Sequence, residues 1–150
     1  MLLATIVFTS APYIFAEPVR IEANGKPIDV TTGHAAPLVY DFDGDGIRDL
    51  LVGEFGSGEF VGPVHTNVEG AHKWNNGRLR LYKNYGTNYD MKLGDWKYVE
   101  AGDEVAVVPI TCCVSFVPQF IDYNNDGIDD IISASYPGDM YAFIGDGEGN

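Results

Sequence analysis

An aspartate-rich segment occurs twice in this chain, and it limits the fold more than any other feature. Residues 36–53, APLVYDFDGDGIRDLLVG, align without a gap on residues 117–134, VPQFIDYNNDGIDDIISA, at a separation of 81. Pro37, Asp41, Asp45, Gly46, Ile47 and Asp49 recur as Pro118, Asp122, Asp126, Gly127, Ile128 and Asp130. A unit that recurs within one chain is a supersecondary element that buries its apolar face against its neighbour. A second correspondence follows at a separation of 61: GRLRLYKN (77–84) and GDMYAFIG (138–145) share a leading Gly and an apolar alternation. The unequal separations place an insertion of 20 residues in the first unit, roughly Ser57 to Asn76. Without it the repeat is about 60 residues, room for four strands and a loop.

Short apolar runs bounded by turn residues predict strands at Leu38–Tyr40, Asp49–Val52, Leu79–Leu81, Trp96–Val99, Gln119–Ile121, Asp130–Ser133 and Met140–Ile144. No segment carries a helical period. Upstream, VRIEANGKPIDV (19–30) predicts a hairpin around Asn24-Gly25, a pair suited to a type I′ turn. The fold expected is all-β: a partial β-propeller of about two blades of four-stranded antiparallel sheet, the second incomplete. Residues 33–104 form the first blade and 105–150 the second, truncated one. Residues 17–32 form a hairpin, read as outer strands of a neighbouring blade. The last residues, GDGEGN, follow a third strand directly, so the ring is expected to continue beyond Asn150.

Between the first two strands of each unit lies a loop with side-chain oxygens at positions 1, 3, 5 and 9. These are Asp41, Asp43, Asp45 and Asp49 in DFDGDGIRD, and Asp122, Asn124, Asp126 and Asp130 in DYNNDGIDD. Gly46 and Gly127 at position 6 allow a sharp turn. Ile47 and Ile128 at position 7 offer a backbone carbonyl while their side chains pack inward. Carboxylates this close repel one another unless a cation intervenes. Calcium, with six to eight oxygen ligands in flexible geometry, suits such a loop better than magnesium, which demands a strict octahedron. An EF-hand is excluded, because position 12 is Val52 or Ser133 where that motif needs a bidentate Glu between helices. The competing reading is an acidic turn that binds no metal.

This loop, after a Pro-led strand and before Leu-Leu-Val-Gly, resembles the FG-GAP/VCBS repeats, the blades of integrin-α-like propellers and of many secreted bacterial proteins. The resemblance spans about residues 33–150. It implies calcium binding through loop positions 1, 3, 5, 7 and 9, and a role in adhesion or in binding a protein or carbohydrate ligand. Phe55-Gly56 matches the eponymous motif, but no Gly-Ala-Pro follows it; Ala35-Ala36-Pro37 precedes the loop instead.

Nine basic against 22 acidic residues give a net charge of −13, which repels nucleic acid and anionic membranes. No apolar run is long enough to span a membrane. Residues 1–16 read as a secretory signal or as a buried strand of a chain that starts upstream. A secreted, cell-surface or periplasmic location follows from the first reading. Cys112 and Cys113, the two cysteines, are adjacent and read as a vicinal disulfide, as partners of cysteines elsewhere, or as thiols. His65, His72 and Trp74 in the insertion read as surface residues rather than a transition-metal or sugar site. His34 reads as a turn cap. The strand aromatics Tyr40, Tyr82, Tyr98, Phe120, Tyr141 and Phe143 read as core. No constellation of nucleophile and base is placed by the sequence, so the chain reads as a binding module and not an enzyme. The alternative is the propeller portion of a polysaccharide-degrading enzyme.

Overall fold

A computed structural model describes residues 15–30, 33–56, 76–109, 116–135 and 138–147. Among these residues the chain is all-β, with no helix and with no sheet closed into a barrel. The strands are β1 (Glu22–Ala23), β2 (Lys26–Pro27), β3 (Ala36–Tyr40), β4 (Asp49–Glu54), β5 (Gly77–Asn84), β6 (Leu93–Tyr98), β7 (Glu100–Ala101), β8 (Glu104–Val105), β9 (Val107–Val108), β10 (Gln119–Ile121), β11 (Asp130–Ala134) and β12 (Met140–Phe143).

The largest sheet runs β2-β1-β6-β5-β4-β3, with β9 also against β5. Strands β3 to β6 form an antiparallel meander, and β10-β11-β12 form a second one. The two meanders share their register. Val39 faces Leu50 and Tyr40 faces Asp49, as Phe120 faces Ile131 and Ile121 faces Asp130. Leu50 faces Tyr82 and Leu51 faces Leu81, as Ile131 faces Phe143 and Ile132 faces Ala142. These pairs are related by the separations of 81 and 61 seen in the sequence.

Burial explains the patterns. Strand β4 is buried at every residue. Leu51 joins Leu79, Leu81, Val99, Val108, Phe116 and Ile131 in one core, against which Tyr40, Phe120 and Phe143 pack. Leu50, Val52, Tyr82 and Leu93 face the other way and are covered by Ala23, Ile28 and Val30. A strand covered on both faces must be apolar on both, hence Leu-Leu-Val without alternation. Strand β3, at the sheet edge, alternates instead: Leu38 and Tyr40 are half-buried while Pro37 and Val39 are exposed.

The hairpin β1–β2 turns through Asn24 (φ 49°) and Gly25 (φ 70°), the two positive angles of a type I′ turn. It does not stand beside a different sheet: β1 pairs in parallel with β6, at Ala23 and Leu93. Strand β9 likewise crosses the expected boundary after residue 104. It pairs with Gly77 and Arg78, the stretch of β5 that β6 leaves open, because β6 engages β5 only from Arg80 onward. Of the Ser57–Asn76 insertion all but Asn76 lies outside the described residues, as do Cys112 and Cys113, residues 1–14 of the signal candidate, and His65, His72 and Trp74. His34 stacks on Phe55 with ring centroids 4.8 Å apart.

Candidate metal centre

Both aspartate loops connect the first two strands of their meanders and are built alike. The Gly46 N–H donates to Asp41 Oδ2 at 2.9 Å, and the Gly127 N–H to Asp122 Oδ2 at 3.0 Å. The Ile47 N–H donates to Asp45 Oδ1 at 2.7 Å, and the Ile128 N–H to Asp126 Oδ1 at 2.8 Å. Gly46 (φ 84°) and Gly127 (φ 89°) take the left-handed conformation that side chains resist. Asn125 (φ 62°) takes the same region where the first loop has Gly44 (φ 71°), and Asn tolerates it best among non-glycines.

The loop ends are anchored by the aspartates at position 9, both without solvent exposure. Asp49 Oδ1 accepts the Asn84 N–H at 2.8 Å, and Asp130 Oδ1 accepts the Gly145 N–H at 2.8 Å. Asp130 Oδ2 also accepts the Tyr123 N–H at 2.9 Å. Asp49 ties its loop to the end of β5, and Asp130 ties its loop to the chain just after β12. Ile47 and Ile128 are half-buried at position 7.

The loops differ in what meets their carboxylates. Asp41, Asp43 and Asp45 each turn an oxygen into one space, these atoms lying within 4.8 Å of one another. Among the described residues no other three acidic, His or Cys side chains converge so closely. In the second loop Asn124 replaces the middle carboxylate, and its amide donates to Asp126 Oδ2 at 2.8 Å. Lys83, on β5, donates to Asp43 Oδ2 at 2.5 Å and to Asp45 Oδ2 at 2.6 Å. That ammonium, with the Ile47 N–H, holds Asp45 below the usual carboxylate range. Burial pushes Asp49 up, against the Asn84 N–H and Lys83. Burial would lower Lys83, but its bonds to Asp43 and Asp45 and the charge of Asp49 outweigh that and raise it. Asp41 Oδ1 and Asp49 Oδ2 are buried without a hydrogen-bond partner.

Neighbouring elements brace the first loop. Asn88 accepts the Arg48 N–H at 2.7 Å and donates to the Gly46 carbonyl at 2.9 Å. Asn84, buried at the end of β5, donates to the Arg48 carbonyl at 3.0 Å and accepts the N–H groups of Gly86 and Lys92. Lys83, Asn84 and Asn88 are not evident from the loop motif. Lys83 has one sequence signal: it continues the alternation of Leu79 and Leu81, a lysine at the end of a core-facing row.

The two loops also touch across the sheets. Tyr40, next to Asp41, donates its hydroxyl to Asp129 Oδ2 and stacks on Phe120 at 3.9 Å between centroids. Burial and the Asp129 carboxylate push the Tyr40 phenol from 10.0 up to about 12. The folded-state value lies above the unfolded one, so the contribution to stability is full below pH 10 and is lost as pH rises toward 12. In a carbon-13 titration of labelled tyrosines, the resonance missing from Tyr40→Phe is expected to move near pH 12. Movement near the ordinary value of 10.0 would show that the contact with Asp129 does not persist in solution.

Comparison with known proteins adds no assignment: no family model, no curated protein and no solved structure matches this chain.

Proposed function

We propose that the chain is a calcium-binding module, two adjoining FG-GAP/VCBS-type blades of a β-propeller in a secreted or cell-surface protein. Calcium fixes the loops, and the ordered face presents a surface to a protein or carbohydrate ligand. The observation that carries this reading is the duplicated loop, whose position 1 and position 5 carboxylates cap the same backbone N–H groups in both units. The register shared by the two meanders supports placing them as successive blades.

The residues fit a hard, oxygen-seeking cation. The Asp41, Asp43 and Asp45 oxygens lie within 4.8 Å of one another, close enough to share one calcium through bonds of about 2.4 Å. The buried Asp41 Oδ1 has capacity left for a cation. In the first loop Asp41, Asp43, Asp45 and Asp49 would hold the ion with the Ile47 carbonyl. In the second, Asp122, Asn124, Asp126 and Asp130 would do so with that of Ile128. Bound calcium neutralises the clustered carboxylates and stiffens the turn.

Calorimetry with calcium on the whole chain tests this. Dissociation constants of about 10⁻⁴–10⁻³ M are expected, the range of extracellular modules. Asp126→Ala should abolish binding at the second loop. Without calcium it should cost only about 1–2 kcal/mol, the worth of its exposed bonds to the Ile128 N–H and the Asn124 amide. Neither heat nor thermal stabilisation at about 10 mM calcium, well above the expected range, would refute the reading.

A further inference from the structure

The first loop already holds a cation. Lys83 Nζ lies 2.5 Å from Asp43 Oδ2, 2.6 Å from Asp45 Oδ2 and 3.8 Å from Asp49 Oδ1. The residue in the same place in the second unit, 61 further on, is Ile144, which is exposed and uncharged. The two loops share the bonds from the Gly46 or Gly127 N–H and the Ile47 or Ile128 N–H to their aspartates, and they differ in this resident charge and in Asn124, which stands where the first loop has Asp43.

The ammonium serves the first loop only in part. It reaches Asp43 and Asp45 closely and Asp49 at longer range. Asp49 has no solvent exposure, yet its Oδ2 makes no hydrogen bond, and Asp41 Oδ1 is likewise buried and unmatched. An ammonium has three donors, whereas calcium gathers six to eight oxygens. The divalent ion can therefore engage carboxylate oxygens that Lys83 leaves alone. Lys83 is also free to leave. A quarter of its side chain is exposed. A cleft of about 450 Å³ opens beside it, with Tyr85, Asp95 and Lys97 on its wall.

We propose that Lys83 is a built-in competitor of the divalent cation at the first loop, so that calcium enters there only by displacing Nζ from Asp43 and Asp45. The second loop, with no such lysine, fills first. The first then responds at higher calcium and releases Lys83 when it fills. This rests on the calcium reading above and adds an order of filling and a moving charge.

The test compares calcium titrations of the whole chain at constant ionic strength, since partly exposed ion pairs are screened by salt. With the second loop disabled by Asp126→Ala, the first should bind weakly. Adding Lys83→Met should tighten that site by about tenfold or more, because the ion no longer has to break an ion pair. Equal affinity with and without Lys83 overturns the proposal, and so does a first loop that binds no calcium even as Lys83→Met. The second loop is measured separately in Asp45→Ala. Binding there keeps the calcium reading alive when the Lys83 result is negative, and its absence there points to failure of that reading.

Lys83→Met leaves the carboxylates uncompensated and risks the fold, so a second measurement uses the unaltered sequence. Its lysines are methylated with carbon-13, and the Lys83 signal is identified by its absence from Lys83→Arg. That signal should shift over the calcium range in which the first loop fills. A Lys83 resonance that stays in place through saturating calcium overturns the proposal.

Discussion

Replacing Glu54 by Ala is expected to lower the unfolding free energy by about 3–5 kcal/mol, a large share of the 5–15 kcal/mol typical of a domain. Glu54 ends β4 and is 1% exposed. Its Oε2 lies 2.5 Å from Arg80 Nη2, and its Oε1 accepts the Tyr98 hydroxyl at 2.6 Å. Arg80 is buried as well; its Nη1 donates to the Asp29 carbonyl at 3.3 Å, and its guanidinium lies 4.2 Å from the Trp96 ring centroid. Glu54→Ala therefore strands a charge that cannot reach water. The pair itself is worth much less than the cost of breaking it, because burying both ions costs nearly what their attraction returns. The double replacement Glu54→Leu with Arg80→Met should accordingly recover most of the loss. Urea unfolding followed by Trp fluorescence measures both. A loss below about 1 kcal/mol for Glu54→Ala would mean that water reaches the pair, as it does surface salt bridges.

That network also marks a limit of sequence reading. Arg78 and Arg80 alternate with Leu79 and Leu81, which reveals the strand period of β5 but not that Arg80 is buried. Its burial comes from residues 21–30, which cover that face of the sheet with Ile28 and Val30. The parallel placement of β1 rests on a single residue pair, and two-residue strands such as β7, β8 and β9 carry no period to detect. By contrast, β3, β4, β10 and β11 were legible. An aspartate loop of fixed length between two apolar runs sets both the turn and the register, so the pairs Tyr40–Asp49 and Ile121–Asp130 follow from counting.

The candidate site was legible in its first-coordination oxygens and not in its surroundings. Spacing brings Asp41, Asp43 and Asp45 together because the loop itself curls. Spacing is silent on Lys83, which comes from a strand about 40 residues away in sequence and meets the loop only through β4–β5 pairing. Asp49 and Asp130 show why a motif position is not yet a role. Both are buried and hold the chain at or just past the third strand of their meander through a backbone N–H, a task that does not depend on a bound cation. Changing them would confound loss of a ligand with loss of an anchor, which is why the calcium experiments use Asp45 and Asp126.

Phe116→Ala should cost as much as the loss of Glu54, about 3–5 kcal/mol, for a different reason. Phe116 is fully buried and belongs to the core that joins the two meanders, with Leu51, Leu79 and Leu81 from one and Ile131 from the other. Its ring stacks on Phe143 of β12 at 5.1 Å, and its N–H donates to the Glu54 carbonyl at 3.4 Å. Truncation to Ala removes apolar area and leaves a cavity between sheets that cannot close without shifting one against the other. The three-stranded sheet is also held by the stack of Tyr40 on Phe120 and the bond of Tyr40 to Asp129, but the first meander has a second cover that the three-stranded sheet lacks among the described residues. The loss should therefore fall unevenly. Amide exchange in β11 and β12 should quicken more than in β4 and β5, because the first meander keeps its second cover from Ala23, Ile28 and Val30. Phe116→Leu, which retains most of the volume, should cost no more than about 1.5 kcal/mol. Uniform acceleration across both meanders would show that they unfold as one unit. A cost below about 1 kcal/mol for Phe116→Ala would show that the second sheet settles into the space, as sites able to collapse do.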